Sequence, residues 1–270
     1  MKQSGISWTD YSGGNLNFVT GCTPISAGCQ NCYARAIYER FGKDHSVVKT
    51  HPEKLNRLWR KEFPLHSPKR GVPHKTMCFV CDTGDLFHEA VPDEFIYQAF
   101  VMMGERSEVT WQVLTKRPER MRELIVRGNR LSYVTSPGEN IWLGVTAETQ
   151  EQADTRIPLL LDTPASVRFV SIEPMLEPVD VFSGYRAIGG PPRARRQGER
   201  DGPYVPSLDW VICGAESGPN RRPFDVAWAV DLYEQCQRRA VPYFGKQASG
   251  LKPSVPLELP GIGEVKEWPR

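Results

Sequence analysis

The sequence predicts an α/β protein made of parallel βα units. Short β-rich runs alternate with helical stripes along most of the 270 residues, and polar turn residues separate one run from the next. A mean hydropathy of −0.44 with 40% hydrophobic residues suits a chain that buries one substantial core, so a single domain spanning residues 1–270 is expected.

The strand candidates, in order, are Leu16 to Thr20, Met77 to Cys81, Thr110 to Leu114, Ile141 to Val145, Val167 to Ile172, Trp210 to Cys213 and Pro242 to Phe244. Between them, Tyr33, Ala34, Ile37, Tyr38 and Phe41 share one helical face, as do Phe95, Ile96, Ala99, Phe100 and Met103 ahead of Gly104. Pro118 suits the first turn of a helix over Glu119 to Val126, with Gly128 beyond its end. Thr149 and Gln152 have the spacing of a capping box, and Ala229, Leu232, Tyr233 and Cys236 form the last stripe. Two segments interrupt the rhythm. Residues 42–75 are rich in basic residues, His and Pro, and residues 184–206 in Gly, Pro and Arg; both read as excursions, the second as a mobile loop.

Such units form either a closed barrel or an open doubly wound sheet. Both place ligands at the C-terminal ends of the strands. Those ends carry the cysteine segment, Asp82-Thr83-Gly84-Asp85, Thr115-Lys116-Arg117, Thr146 with Glu148, Glu173, Glu216-Ser217 and Lys246-Gln247. So polar a rim is expected to be a functional pocket.

A formal charge of +2 and a pI near 8.1 confine any nucleic-acid contact to local patches. With no long apolar run and no signal-peptide pattern at the N-terminus, a cytoplasmic protein with no membrane contact is expected. In that compartment seven cysteines, three of them between Gly21 and Ala34 in "GCTPISAGCQNCYA", argue for metal chemistry over disulfides. Cys22, Cys29 and Cys32 supply three soft ligands. A saturated structural zinc site wants four, whereas a [4Fe-4S] cluster with one open iron wants three.

The rival reading joins Cys29 and Cys32 to Cys78 and Cys81 as a four-cysteine zinc site in a nucleic-acid-binding module without catalysis. Against it, "CFVC" reads as strand interior, where positions i and i+3 point to opposite faces, and 45 residues separate the pairs. Cys213 and Cys236 read as core.

The cysteine segment resembles the cluster loop of the radical S-adenosylmethionine (SAM) superfamily. The whole chain further resembles the phage-associated family named after gene products 37 and 68, through "ISWTD", "DLFHEAVP", "QVLTKRPERM", "LGVTAETQ", "SIEPML", "WVICGAESG" and "VPYFGKQ". The resemblance implies a partial (β/α)6 barrel in which Cys22, Cys29 and Cys32 hold a [4Fe-4S] cluster. SAM would chelate the open iron and be cleaved to methionine and a 5′-deoxyadenosyl radical, which takes hydrogen from a substrate. Two departures stand out. Six residues separate the first two cysteines where the superfamily commonly has three, and the aromatic residue expected just before the last cysteine is replaced by Tyr33 just after it.

Within that framework Tyr33, Asp82, Thr83, Gly84, Asp85, Thr115, Lys116, Glu173, Glu216 and Ser217 are expected to bind SAM. In place of the superfamily's Gly-Gly-Glu, Asp82 or Asp85 would take the SAM ammonium. Arg117, Lys246, Gln247 and His88 are expected to face substrate, and no catalytic residue beyond the cofactor is assigned. Arginines after the third strand and in 184–206 would track phosphates, making a nucleobase of phage DNA the expected substrate. The partner would be a flavodoxin- or ferredoxin-type electron donor.

Overall fold

The computed structural model describes residues 3–130, 138–183 and 207–269. The expected arginine-rich loop at 184–206 lies outside the described residues. Six parallel strands follow one another across a single sheet in chain order. They are β3 (Thr76–Phe79), β4 (Val109–Thr115), β5 (Ile141–Thr146), β6 (Val167–Ile172), β7 (Trp210–Gly214) and β8 (Tyr243–Gln247). Helices α3 (Asp93–Glu105), α4 (Pro118–Arg130), α5 (Gln150–Leu161) and α6 (Val226–Arg239) connect them, giving the topology of a partial (β/α)6 barrel. The strands are almost wholly buried, as strands covered on both faces must be, which explains why they read as continuous apolar runs.

The chain divides into two compact units: residues 1–144 with 163–166, and residues 145–162 with 167–270. In the first unit the first predicted strand needs correcting. Leu16 to Thr20 is not a strand of the sheet. Gly14–Leu16 is a 3-10 turn, and only β1 (Val19–Thr20) is extended, paired antiparallel with β2 (Lys49–Thr50). The N-terminal segment instead runs along the outer edge of β3, where Asp10 and Tyr11 donate from their backbone to Met77 and Phe79 donates back to Tyr11. Asp10, the last residue of "ISWTD", holds it there. Its buried carboxylate accepts from Met77 N (2.8 Å), Ser67 Oγ (2.9 Å) and Lys69 N (3.1 Å). A sheet edge left bare would be a site of aggregation, and this segment covers it.

The excursion at 42–75 is folded structure. It supplies β2 and the short helix α2 (Pro52–Trp59), which buries Leu55 and Leu58. The periodicity also predicts α1 (Tyr33–Arg40), but of its apolar stripe only Ala34 is buried; Phe41, just past its end, is 69% exposed. Gly104 and Gly128 both fall within helices and end neither.

In the second unit Thr149 caps α5 as its spacing predicts, accepting from Gln152 N, and Cys213 and Cys236 are core residues. The C-terminal tail covers β8. Gly245 donates to Val265, and Tyr243 and Glu267 exchange hydrogen bonds. This tail also forms the small hairpin of β9 (Glu258–Leu259) and β10 (Gly263–Glu264).

Candidate functional site

Cys22, Cys29 and Cys32 line one cavity of about 190 Å³, together with Thr23, Arg35 and His45. Each is placed by a different local device. Cys22 follows Gly21, whose φ of +82° lies in the left-handed region and where a Cβ would sit 2.3 Å from the Val47 carbonyl oxygen. Only glycine fits so close an approach. Cys22 N then donates to His45 O (2.8 Å), so the excursion at 42–75 holds the first cysteine. Cys29 ends a 3-10 turn, Ala27–Cys29, and Cys32 is the N-cap of α1. Arg35, one turn into α1, clamps the turn between them by donating to Cys29 O (2.7 Å) and to Gln30 O.

Gly21→Ala is expected to destabilise the protein by about 2 kcal/mol or more, from left-handed strain of about 1–2 kcal/mol plus displacement of the Val47 carbonyl. Urea denaturation measures it, and a loss under about 0.5 kcal/mol would contradict the packing described.

The sulfur environments differ. Burial pushes the Cys22 thiol up to about 11, aided by the Asp85 carboxylate and opposed by the Arg117 guanidinium. At Cys29 burial acts in the same direction, but it is outweighed by a hydrogen bond from the Ile25 backbone, the Lys116 ammonium and hydrogen bonds from Ser26, so its pKa falls. A lowered thiol pKa is what a thiolate ligand needs.

The Asp82–Asp85 turn is a docking platform for the cysteine segment. Thr83 O accepts from Gly21 N (3.1 Å) and faces His45 Nε2 (3.2 Å). A Cβ on Gly84 would lie 2.8 Å from Val19 O. Asp82 accepts from Asn17 Nδ2 (2.6 Å), its backbone carbonyl accepts from the Tyr33 hydroxyl, and burial raises its pKa. Asp85 is saturated: Thr115 Oγ1 (2.7 Å), Phe87 N (2.9 Å), Lys116 N (3.2 Å) and Arg117 Nη1 (3.2 Å) all donate to it.

Arg117 is only 5% exposed and turns toward the cysteine segment. It donates to Glu89 (2.9 Å), Thr23 Oγ1 (3.1 Å), Thr23 O (3.2 Å) and the Cys22 sulfur (3.5 Å). His88 joins the same group. Ala90 N donates to its Nδ1 (3.1 Å), which assigns the ring proton to Nε2 for Thr23 Oγ1 (2.9 Å), and burial, with the Arg117 charge beside it, lowers its pKa. Thr23, His45 and Glu89 have no signal in the sequence, because their partners are distant along the chain.

Cys78 and Cys81 do not line the cavity. Both are buried, and burial raises both thiols well above the usual range. The strand β3 ends at Phe79, and Cys81 lies beyond it at φ 58°, so "CFVC" is not all strand interior.

The remaining expected site residues lie in the second unit. Lys246 donates to Glu173 at the end of β6, and Gly214 leaves room for that carboxylate: a Cβ there would meet its Cδ at 3.2 Å. Glu216 accepts from Arg222 N (2.7 Å) and from the Arg222 guanidinium. Gln247 is a clamp, donating to Ala215 O (2.8 Å) and accepting from Ser254 N (3.0 Å), while Ser217 bridges to Gly250. A cavity of about 250 Å³ in this unit, lined by Asp180, Asp231 and Arg239 among others, contains none of these residues.

Among the described residues no three His, Cys, Asp or Glu side chains converge as ligands of one metal ion. The cysteines fit a different group. A single zinc needs its sulfurs at about 2.3 Å from one centre. A [4Fe-4S] cluster binds each thiolate to a separate iron, and three cysteines lining one cavity are the donor set that a cluster with one open iron would take.

The solved structures that resemble the chain are of spore photoproduct lyase. A cysteine-to-serine variant matches with a TM-score of 0.50 at 12% identity, over 93% of this chain and 78% of that one. The enzyme complexed with dinucleoside spore photoproduct matches at 0.49 and 11%, over the same shares, and a double variant with bound AdoMet and the same ligand at 0.47 and 10%, over 87% and 75%. The first of these shows a shared fold. No curated protein sequence matches. A family model described as "Protein of unknown function (DUF5131)" matches residues 3–257, and the chain belongs to that family.

Proposed function

We propose that the protein is a radical SAM enzyme whose [4Fe-4S] cluster is held by Cys22, Cys29 and Cys32. The observation that carries this is that Cys22, Cys29 and Cys32, and no other cysteine, line one cavity in a partial (β/α)6 barrel. The fold likeness to spore photoproduct lyase, a radical SAM enzyme, supports it. A cluster held there would supply one-electron reductive cleavage of SAM to methionine and a 5′-deoxyadenosyl radical.

The chain's own residues then have defined tasks. Lys116, whose charge reaches Cys29, is assigned to the carboxylate of SAM and Asp82 to its ammonium, while Asp85, already saturated by its own donors, holds the Asp82–Asp85 turn in shape. Tyr33, Thr83, Gly84 and Thr115 hold that turn and the cysteine segment together. In the second unit Glu173 and Lys246 form a partly exposed ion pair suited to a hydroxyl-bearing or anionic ligand, Glu216 pairs with Arg222, and Gln247 and Ser217 hold the strand-end loops through Ala215, Ser254 and Gly250.

The substrate we favour is a nucleobase in DNA, in keeping with the resemblance to a phage-associated family, and the reductant a flavodoxin or ferredoxin in the cytoplasm. Among the described residues no helix is long and apolar enough to cross a membrane.

The test is anaerobic reconstitution with iron and sulfide, followed by dithionite and SAM. The wild type is expected to form 5′-deoxyadenosine and Cys32→Ala to form none; a wild type that binds the cluster yet never cleaves SAM would overturn the reading.

A further inference from the structure

The mechanism above gives no task to Arg117, a buried cation beside the cysteine segment. Arg117 stands at the end of β4, where a cation facing outward would grip a ligand, but its guanidinium is folded back onto the cysteine segment. Three constraints fix it there. Asp85 and Glu89 flank it at 3.2 and 2.9 Å, and Thr23, the residue after Cys22, takes two of its N–H groups. The remaining contact is with the Cys22 sulfur at 3.5 Å. A phosphate would have to displace a carboxylate already paired with it. The sulfur, by contrast, gains a charge-assisted donor in a site that excludes most water.

We propose that Arg117 is a positioning residue for the cluster and sets its reduction potential, with Glu89 as the opposing charge; this rests on the cluster-binding reading above. Reduction adds one electron from the donor to the cluster and breaks no bond in the protein. The reduced cluster is more negative by one charge, so a cation donating to a ligand sulfur stabilises it more than the oxidised form and raises the potential. Glu89 works the other way. Its side chain is 68% exposed, so it can be neutralised without disturbing the buried part of the network.

The experiment is an EPR-monitored dithionite titration of the reconstituted cluster in wild type, Arg117→Met, Arg117→Lys and Glu89→Gln, with iron content measured alongside. Arg117→Met is expected to retain the cluster and shift the midpoint to lower potential, by about tenfold in the reduced-to-oxidised ratio, or 59 mV for one electron. Arg117→Lys should shift less and Glu89→Gln in the opposite direction. An unchanged midpoint in Arg117→Met or in Glu89→Gln at full iron content would overturn the proposal. If Arg117→Met fails to fold or loses iron, Glu89→Gln decides: a raised midpoint supports the assignment and an unmoved one overturns it. A wild type that takes up no cluster overturns the radical SAM reading itself, and this inference with it.

Discussion

Replacing Cys22, Cys29 or Cys32 singly with Ala is expected to abolish binding of the proposed cluster, whereas Cys78→Ala and Cys81→Ala are expected to retain it. The asymmetry follows from where the thiols point. The first three line one cavity, and the other two, Cys78 within β3 and Cys81 just beyond its end, are buried, which raises both thiols well above the usual range. A cluster bound by three thiolates has no spare protein ligand, so one deletion removes a whole corner. Reconstituted wild type should therefore carry about four irons per chain, and each of the three variants well under one. Cys78→Ala should cost only packing, about 1 kcal/mol, with iron and visible absorbance unchanged. Iron and zinc analysis of the set decides the matter. Zinc retained by Cys22→Ala but lost in Cys78→Ala would mean a four-cysteine zinc site and a binding protein, not an enzyme.

That Cys22, Cys29 and Cys32 share one cavity was legible because they lie close along the chain in a Gly- and Ser-containing loop. The six sheet strands were legible because buried parallel strands are apolar throughout. What was not legible depended on partners far along the chain. Leu16 to Thr20 has strand composition, but Gly13 and Gly14 take positive φ just before it and its neighbour is Lys49–Thr50, inside what reads as an excursion. Cations at a strand end look the same whether the carboxylate they meet is a ligand's or the protein's own. Arg117 meets Asp85 and Glu89, both about thirty residues away, and no periodicity records such a pairing. The apolar face of α1 shows the converse error: its period is right for a helix, yet period says nothing about whether a face is covered.

The largest stability effect is expected at a pair that the function does not use. Glu148, at the end of β5, is fully buried, and Arg156 on α5 is 4% exposed; their side chains meet at 3.1 Å, and Arg156 Nη1 also donates to Thr146 O (2.6 Å). The backbone carbonyl of Glu148 accepts from Leu176 N, so the pair joins the first residues after β5 to the segment after β6. Burying either charge alone is costly, since the partner's Coulomb energy offsets its desolvation only while both are present. Arg156→Met, which removes the guanidinium facing the buried Glu148 carboxylate, is expected to lose about 3–5 kcal/mol, and Glu148→Leu a similar amount. The double variant Glu148→Leu/Arg156→Met should recover most of that loss, because two apolar side chains of comparable volume restore the packing and remove both charges. Urea denaturation of the four proteins gives the coupling directly. If the two single losses simply add in the double variant, the charges are acting independently, and the strand-end geometry they are said to hold has some other support.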